Sequence, residues 1–226
     1  MVDCVRAGVI RAVMQQAVSA TCRGSMDHTG GCGYSSEPGL VDHMELSYQQ
    51  LSPTEVEPVH NILRLCGLDM QAHLGLSHWV PPYPVERLRL DAELRQVYAV
   101  LHTNQLIATF TLGTVLSATY RLIPAVLRLW DTPLPRALYI NHLALLPAMQ
   151  GRGLGRQCMQ TIEGMAAEQG CEAVRLDAYS RHAGLQIFYS KLGYRNVGQF
   201  LFRSERRGEA ETTCYEKLLA PAVASG

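Results

Sequence analysis

Residues 143–156 read Leu-Ala-Leu-Leu-Pro-Ala-Met-Gln-Gly-Arg-Gly-Leu-Gly-Arg: an apolar strand-like run, a loop with glycines at 151, 153 and 155, and a helix that follows at once. No other stretch of this chain limits its fold as tightly. Glycines let the backbone approach a ligand closely, and the first N–H groups of a helix point outward without intrahelical partners. A strand, a glycine loop and a helix in that order therefore form a cradle for a phosphate or another anion. The helix prediction rests on Leu154, Cys158, Met159, Ile162 and Met165, which share a face, and on Gly170, which stands where a left-handed C′ residue belongs.

The rest of the chain supplies neighbours for this unit. Alternation begins at Met44-Glu45-Leu46-Ser47-Tyr48, and residues 44–51 suit a strand. Pro53-Thr54-Glu55-Val56-Glu57 opens a helix, with proline and acids in the first turn. Val56, Val59, Ile62, Leu63 and Cys66 recur at helical spacing, and Gly67 is expected to stop that helix. A second helix is predicted over 84–95, where Glu86, Asp91 and Glu93 alternate with Arg87, Arg89 and Arg95 as on a solvated face. Two strands, 96–102 and 105–116, flank a hairpin turn. A short helix at Ala125–Leu129, a strand at 138–146, helix 154–169, strand 173–178, helix 181–192 and strands 194–202 and 212–219 complete the reading. The order predicts one mixed α/β domain over residues 44–219, with a tail at 220–226.

Residues 1–43 read differently. Val5, Val9, Ile10, Val13, Met14 and Ala17 would line one helix face, but Arg6, Arg11, Gln15 and Gln16 break any continuous apolar core, which counts against a secretory signal. Asp3 counts against a transit peptide. Residues 23–43 are rich in Gly, Ser, Asp and His, so the segment is expected to be a disordered extension or a leader, with Met44 as a candidate start.

Charge and cysteine usage narrow the partners. Twenty Lys and Arg balance twenty Asp and Glu, and from Met44 onward the count is 17 against 16. Such a chain has no surplus with which to neutralise a run of phosphates, so no nucleic acid partner is expected. The longest apolar runs fall short of the ~20 residues that cross a membrane, so no membrane partner is expected either. Seven cysteines, an odd number without a CxxC pair, suit a reduced, cytoplasmic protein better than a disulfide framework. Cys22, His28, Cys32 and His43 match no zinc template, and no metal is expected.

Two phosphate-binding patterns can be tested against the glycine loop. A Rossmann fingerprint needs G-x-G-x-x-G directly after the strand and an acid about 20 residues further on. Asp177 would serve as the acid, but the third glycine falls on Arg156 or Cys158, and Pro147-Ala-Met-Gln separates strand from glycines. A Walker A loop lacks its Gly-Lys-Ser/Thr. Gln150-Gly151-Arg152-Gly153-Leu154-Gly155 instead resembles motif A of the GNAT N-acetyltransferases, Q/R-x-x-G-x-G/A. Downstream, Ala183-Gly-Leu-Gln-Ile-Phe-Tyr189-Ser-Lys-Leu-Gly193-Tyr194 is similar to the family's A-x-x-x-x-Y-x-x-x-G-F/Y, with Tyr189, Gly193 and Tyr194 on register and Ala183 one residue further from the tyrosine. Strand and helix order extend the resemblance over 44–219.

The resemblance implies an acyl-CoA N-acyltransferase fold, a mixed central sheet splayed in its middle and flanked by helices. It implies a transferase that moves an acetyl group from the co-substrate acetyl-CoA to the amine of a small molecule or peptide, and relatives often form homodimers. Main-chain groups of Leu143, Ala144 and Leu145 would pair with the pantetheine arm, and the loop from Gln150 through Gly151, Arg152, Gly153, Leu154 and Gly155 to Arg156 would hold the pyrophosphate. The side chains of Arg152 and Arg156 either add charge there or are plain surface residues. Tyr189 would protonate the departing thiolate, though it could also simply pack beside Leu185 and Phe188. Asp177 would be the base or a structural acid at a strand end. Tyr139 and Asn141, expected on one face with Leu143, could orient a water or the acceptor. The family often has Asn where His182 stands, and His182 could bond the cofactor, act as a base or cap a helix. His78-Trp79-Val-Pro-Pro-Tyr83-Pro makes either an acceptor wall of Trp79 and Tyr83 or a packed turn. A non-catalytic acyl-CoA-binding module is the alternative, and it would have no need of Tyr189.

Overall fold

The computed structural model describes residues 45–130, 136–204 and 208–220. The expected extension over 1–43 and residues 221–226 of the expected tail lie outside these. Strands β1 (Leu46–Gln50), β2 (Gln96–His102), β3 (Gln105–Gly113), β4 (Ala137–Leu145), β5 (Ala173–Tyr179), β6 (Arg195–Ser204) and β7 (Gly208–Leu218) form one sheet in the order β1-β2-β3-β4-β5-β7-β6. Helices are α1 (Glu57–Leu74), α2 (Val85–Leu94), α3 (Ala118–Arg121), α4 (Pro124–Leu129), α5 (Leu154–Glu168) and α6 (Ala183–Lys191). The mixed α/β reading holds. The β2–β3 turn falls at Thr103 and Asn104, both at positive φ (47° and 62°), the twist that a two-residue hairpin requires.

Side-chain alternation divides the sheet into two packed faces. On one, Leu138 and Ile140 of β4 and Val174 and Leu176 of β5 meet Leu154, Cys158, Met159 and Ile162 of α5 and Tyr189 of α6. On the other, Val97 and Ala99 of β2 meet Val59, Ile62 and Leu63 of α1 and Leu88 of α2. Further along, Val126 of α4 and Trp130 cover Phe200 and Cys214. A buried Arg175–Glu216 pair (Nε–Oε2 2.9 Å) ties β5 to β7, and the Arg175 Nη1 donates to the Tyr139 hydroxyl at 3.1 Å.

Two expectations about the first helices are corrected. Gly67 does not stop α1, which continues to Leu74 and ends on Gly75 in the left-handed region (φ 65°). Gly67 serves a close approach instead, since a Cβ there would stand 2.8 Å from the Trp79 carbonyl oxygen. Nor is all of α2 a solvated face. Asp91 and Arg95 turn inward, three and seven residues from the fully buried Leu88 and so on its side of the helix. The helix opening at Pro53 is a single 3-10 turn, Pro53–Glu55, closed by reciprocal bonds between Ser52 and Glu55 before α1 begins.

Candidate active site

β4 and β5 run parallel over only four residue pairs, Ala137↔Ala173 to Ile140↔Leu176. Beyond them β4 continues against β3 as far as Ala108↔Leu145, and β5 continues against β7 as far as Tyr179↔Thr212. The strands therefore part like a V, open at their C-terminal ends. Neighbouring residues of an antiparallel ladder turn their main-chain groups alternately toward and away from the partner. Leu146 N–H donates to the Ile107 oxygen at 2.9 Å, so Ala144 also faces β3, and Leu145 turns its main chain into the gap. The Leu145 carbonyl accepts from Gln150 Nε2 at 3.0 Å and from Cys66 Sγ at 3.3 Å, which ties the loop and α1 to the end of β4.

A bulge sits at the branch of the V. Thr111 pairs with Asn141 and Thr109 with Ala144, so β4 carries one extra residue, and His142 there has φ 55°. This corrects the expectation that Tyr139 and Asn141 share a face with Leu143. Leu143 packs on the α5 side with Leu138 and Ile140, whereas Tyr139 packs beside Trp130 and Asn141 accepts from Arg95. One inserted residue reverses the phase of a strand.

The three loop glycines do different work. Gly151 and Gly153 have φ of 76° and 80° with open space where a Cβ would stand, and Gly153 is the N-cap of α5. A Cβ on Gly155 would lie 3.3 Å from the Phe188 ring, so this glycine seats α5 against α6. Leu154 is buried as the first core residue of the helix, while Arg152 and Arg156 are exposed beside the loop. The first-turn N–H groups and the positive end of the helix dipole suit an anion there.

Tyr189 projects from α6 into the wall of the gap. It is 5% exposed, with ring centroids of Phe188, Tyr215 and Tyr194 at 5.2, 5.3 and 5.9 Å. Burial, then the negative charge of Asp177, hold its phenol proton well above the ordinary range. Asp177 is the first β5 residue past the branch. Burial raises its carboxyl to about 6, and a hydrogen bond from the Tyr120 hydroxyl (2.8 Å) partly offsets this. His182 is the N-cap of α6, its Nδ1 accepting from Leu185 N–H at 3.2 Å.

The segment between α1 and α2 spans the V. The His78 ring stacks on Tyr179 of β5 at 4.1 Å, and the Tyr83 ring lies 4.1 Å from His142 of β4. Trp79 rests over Gly67. Beneath this segment the Tyr83 hydroxyl donates to Asp91, whose carboxyl is pushed up by burial, and Asp91 Oδ2 lies 4.0 Å from His142 Nδ1. Arg95 donates to Asn141 Oδ1 at 2.6 Å, and its guanidinium lies on Gly113, where a Cβ would come within 2.5 Å of Nε. Tyr120, His142, Asp91 and Arg95 escaped the sequence reading. For Asp91 and Arg95, the available signal was their helical spacing from Leu88. For Tyr120 there was only the Ser117 cap ahead of a short helix.

Among the described residues, no three His, Cys, Asp or Glu side chains gather where they could hold a metal, and no helix is long and apolar enough to cross a membrane. The model of the acetyltransferase (GNAT) family matches residues 68–194, more than half of the chain. Solved structures share the fold at low identity. An acetyltransferase of the GNAT family from Listeria monocytogenes is 16% identical with a TM-score of 0.59, the match covering 79% of this chain and 97% of that one. The ribosomal-protein-S18-alanine N-acetyltransferase from Escherichia coli is 12% identical with a TM-score of 0.56, covering 80% and 99%. The polyamine N-acetyltransferase of Drosophila melanogaster is 17% identical with a TM-score of 0.56, covering 77% and 100%. The chain belongs to the GNAT family of acetyltransferases, whose members use acetyl-CoA.

Proposed function

We propose that the protein transfers the acetyl group of acetyl-CoA to a primary amine by direct attack. The observation that carries this reading is the V between β4 and β5, with the glycine loop beyond one arm and Asp177 and Tyr189 along the other. The residues present fit the co-substrate. Leu143 and Leu145 offer the gap-facing edge of β4 to an amide-bearing arm lying as an added strand. Gly151 and Gly153 leave open the space that side chains would fill beside a pyrophosphate, and Arg152 and Arg156 are exposed to add charge.

When bound, the thioester supplies an acyl carbon activated toward an amine. Asp177, ionised above about pH 6, accepts the proton of the attacking nitrogen directly or through a water. Tyr189 keeps its proton at neutral pH and delivers it to the departing sulfur, so the carbon–nitrogen bond forms as the carbon–sulfur bond breaks. Backbone N–H groups of the β4 edge polarise the carbonyl. Because His182 Nδ1 accepts a hydrogen bond, its Nε2 carries the proton and can donate to the co-substrate. Trp79, Tyr83, Tyr139 and Asn141 belong to the acceptor side. A thiol nucleophile is disfavoured, since burial pushes Cys66 up to about 12 and Cys158 to about 11. The free, buried thiols suit the reducing cytoplasm.

The test is an acceptor screen of small amines and peptides by thiol release, repeated with Tyr189→Phe. Loss of the acid should lower kcat by about 100-fold while acetyl-CoA affinity stays within about twofold. Unchanged turnover would remove Tyr189 from the mechanism.

A further inference from the structure

A carboxylate in an apolar wall is drawn toward its neutral form and is free to rotate unless a donor holds it. We propose that Tyr120 is the positioning residue for Asp177, its hydroxyl fixing the carboxylate at the branch of the V. This rests on Asp177 being the base. Tyr120 lies in α3, a single turn inserted between β3 and β4, and its N–H is capped by the Ser117 hydroxyl at 3.4 Å. The ring is held edge-on by Phe200 and Phe202 of β6, with centroids at 5.7 and 6.0 Å, and Trp130 stands at 6.5 Å. Trp130 and Phe200 are themselves buried, so the ring has a firm seat. Its hydroxyl reaches Asp177 Oδ2 at 2.8 Å, a bond to a charged acceptor that favours the ionised form.

The other groups that face Asp177 do not replace it. Tyr189 of α6 and Cys214 of β7 are both held neutral by burial and by the charge of Asp177 itself. On β5, Arg175 shares the face but is engaged by Glu216 and Tyr139. Asp177's own backbone N–H adds a smaller bond. Among the described residues no cation forms an ion pair with Asp177, which leaves Tyr120 as the side chain that holds it.

Carbon-13 labelling of aspartate carboxyls in the full chain follows the titration of Asp177, with Asp177→Asn assigning its resonance. The wild-type midpoint is expected near pH 6. Tyr120→Phe should raise it by about one pH unit, and a difluorotyrosine at 120, a stronger donor of nearly the same shape, should lower it. An unmoved midpoint in Tyr120→Phe overturns the proposal; if that variant folds poorly by thermal melting, the fluorinated protein decides. The acid limb of kcat/KM, measured with the amine found in the screen, should move with the midpoint while KM for acetyl-CoA stays within about twofold. Failure of the base reading looks different. Undiminished turnover in Asp177→Asn removes Asp177 from catalysis, and the proposal falls with it even where the midpoint moves.

Discussion

Burial raises the Asp177 carboxyl from an ordinary 3.8 to about 6, and stability must follow the same proton. A carboxyl that binds its proton more tightly when folded stabilises the fold fully below about pH 4, and that contribution is lost as pH rises through 6. The difference corresponds to about 3 kcal/mol at most. Asp177→Asn should therefore raise the melting temperature at pH 8, leave it nearly unchanged at pH 4, and lower turnover at pH 8. Melting curves at the two pH values, set beside thiol-release rates, check this; equal melting temperatures for the two proteins at pH 8 would contradict it. Tyr189 and Asp177 stand out in the sequence only through the family resemblance, one in the motif that ends Gly193-Tyr194 and the other as the acid on the strand after the glycine-loop helix. Tyr120 does not stand out, because its partner is 57 residues away and nothing local to Ala-Thr-Tyr-Arg marks it.

Elements show the same division through two features. The glycine loop announced itself, since the positive φ of Gly151 and Gly153 is a demand the chain meets within a few residues. The β4 bulge left only a faint mark, two adjacent polar residues (Asn141, His142) between the apolar phase of Leu138 and Ile140 and that of Leu143. It takes pairing with β3 to make this an inserted residue rather than the end of a strand. Gly67 was read by its local meaning as a helix stop, yet its use is tertiary: it admits the Trp79 backbone. Helix propensity alone would make Gly67→Ala stabilising by about 1 kcal/mol. The contact at 2.8 Å decides otherwise, because a carbonyl in a packed turn cannot swing aside as a side-chain tip can. Gly67→Ala should cost about 1–3 kcal/mol overall, seen as a lower denaturant midpoint, and should raise KM for the acceptor more than for acetyl-CoA.

At the scale of the molecule, the charges balance, so the proposed binding of an anionic co-substrate rests on the local glycine loop rather than on a field. Acetyl-CoA and CoA at about 100 times their Kd should each stabilise the fold by about 3 kcal/mol, while NAD should leave the melting temperature unmoved. A shift with NAD alone would mean that the loop serves a dinucleotide. The order of strands and helices was readable because periods of 2 and 3.6 residues declare themselves within a single element. By itself, then, the sequence determined the local units: the strand, glycine loop and helix, the tyrosine helix, and one mixed domain around them. Only the tertiary structure decided that β4 and β5 part after Leu176, that Asp91, Arg95 and His142 face inward, and that Tyr120 meets Asp177. Those outcomes depend on contacts between segments 46 and 57 residues apart, whose cost in chain entropy and reward in burial no short window of sequence contains.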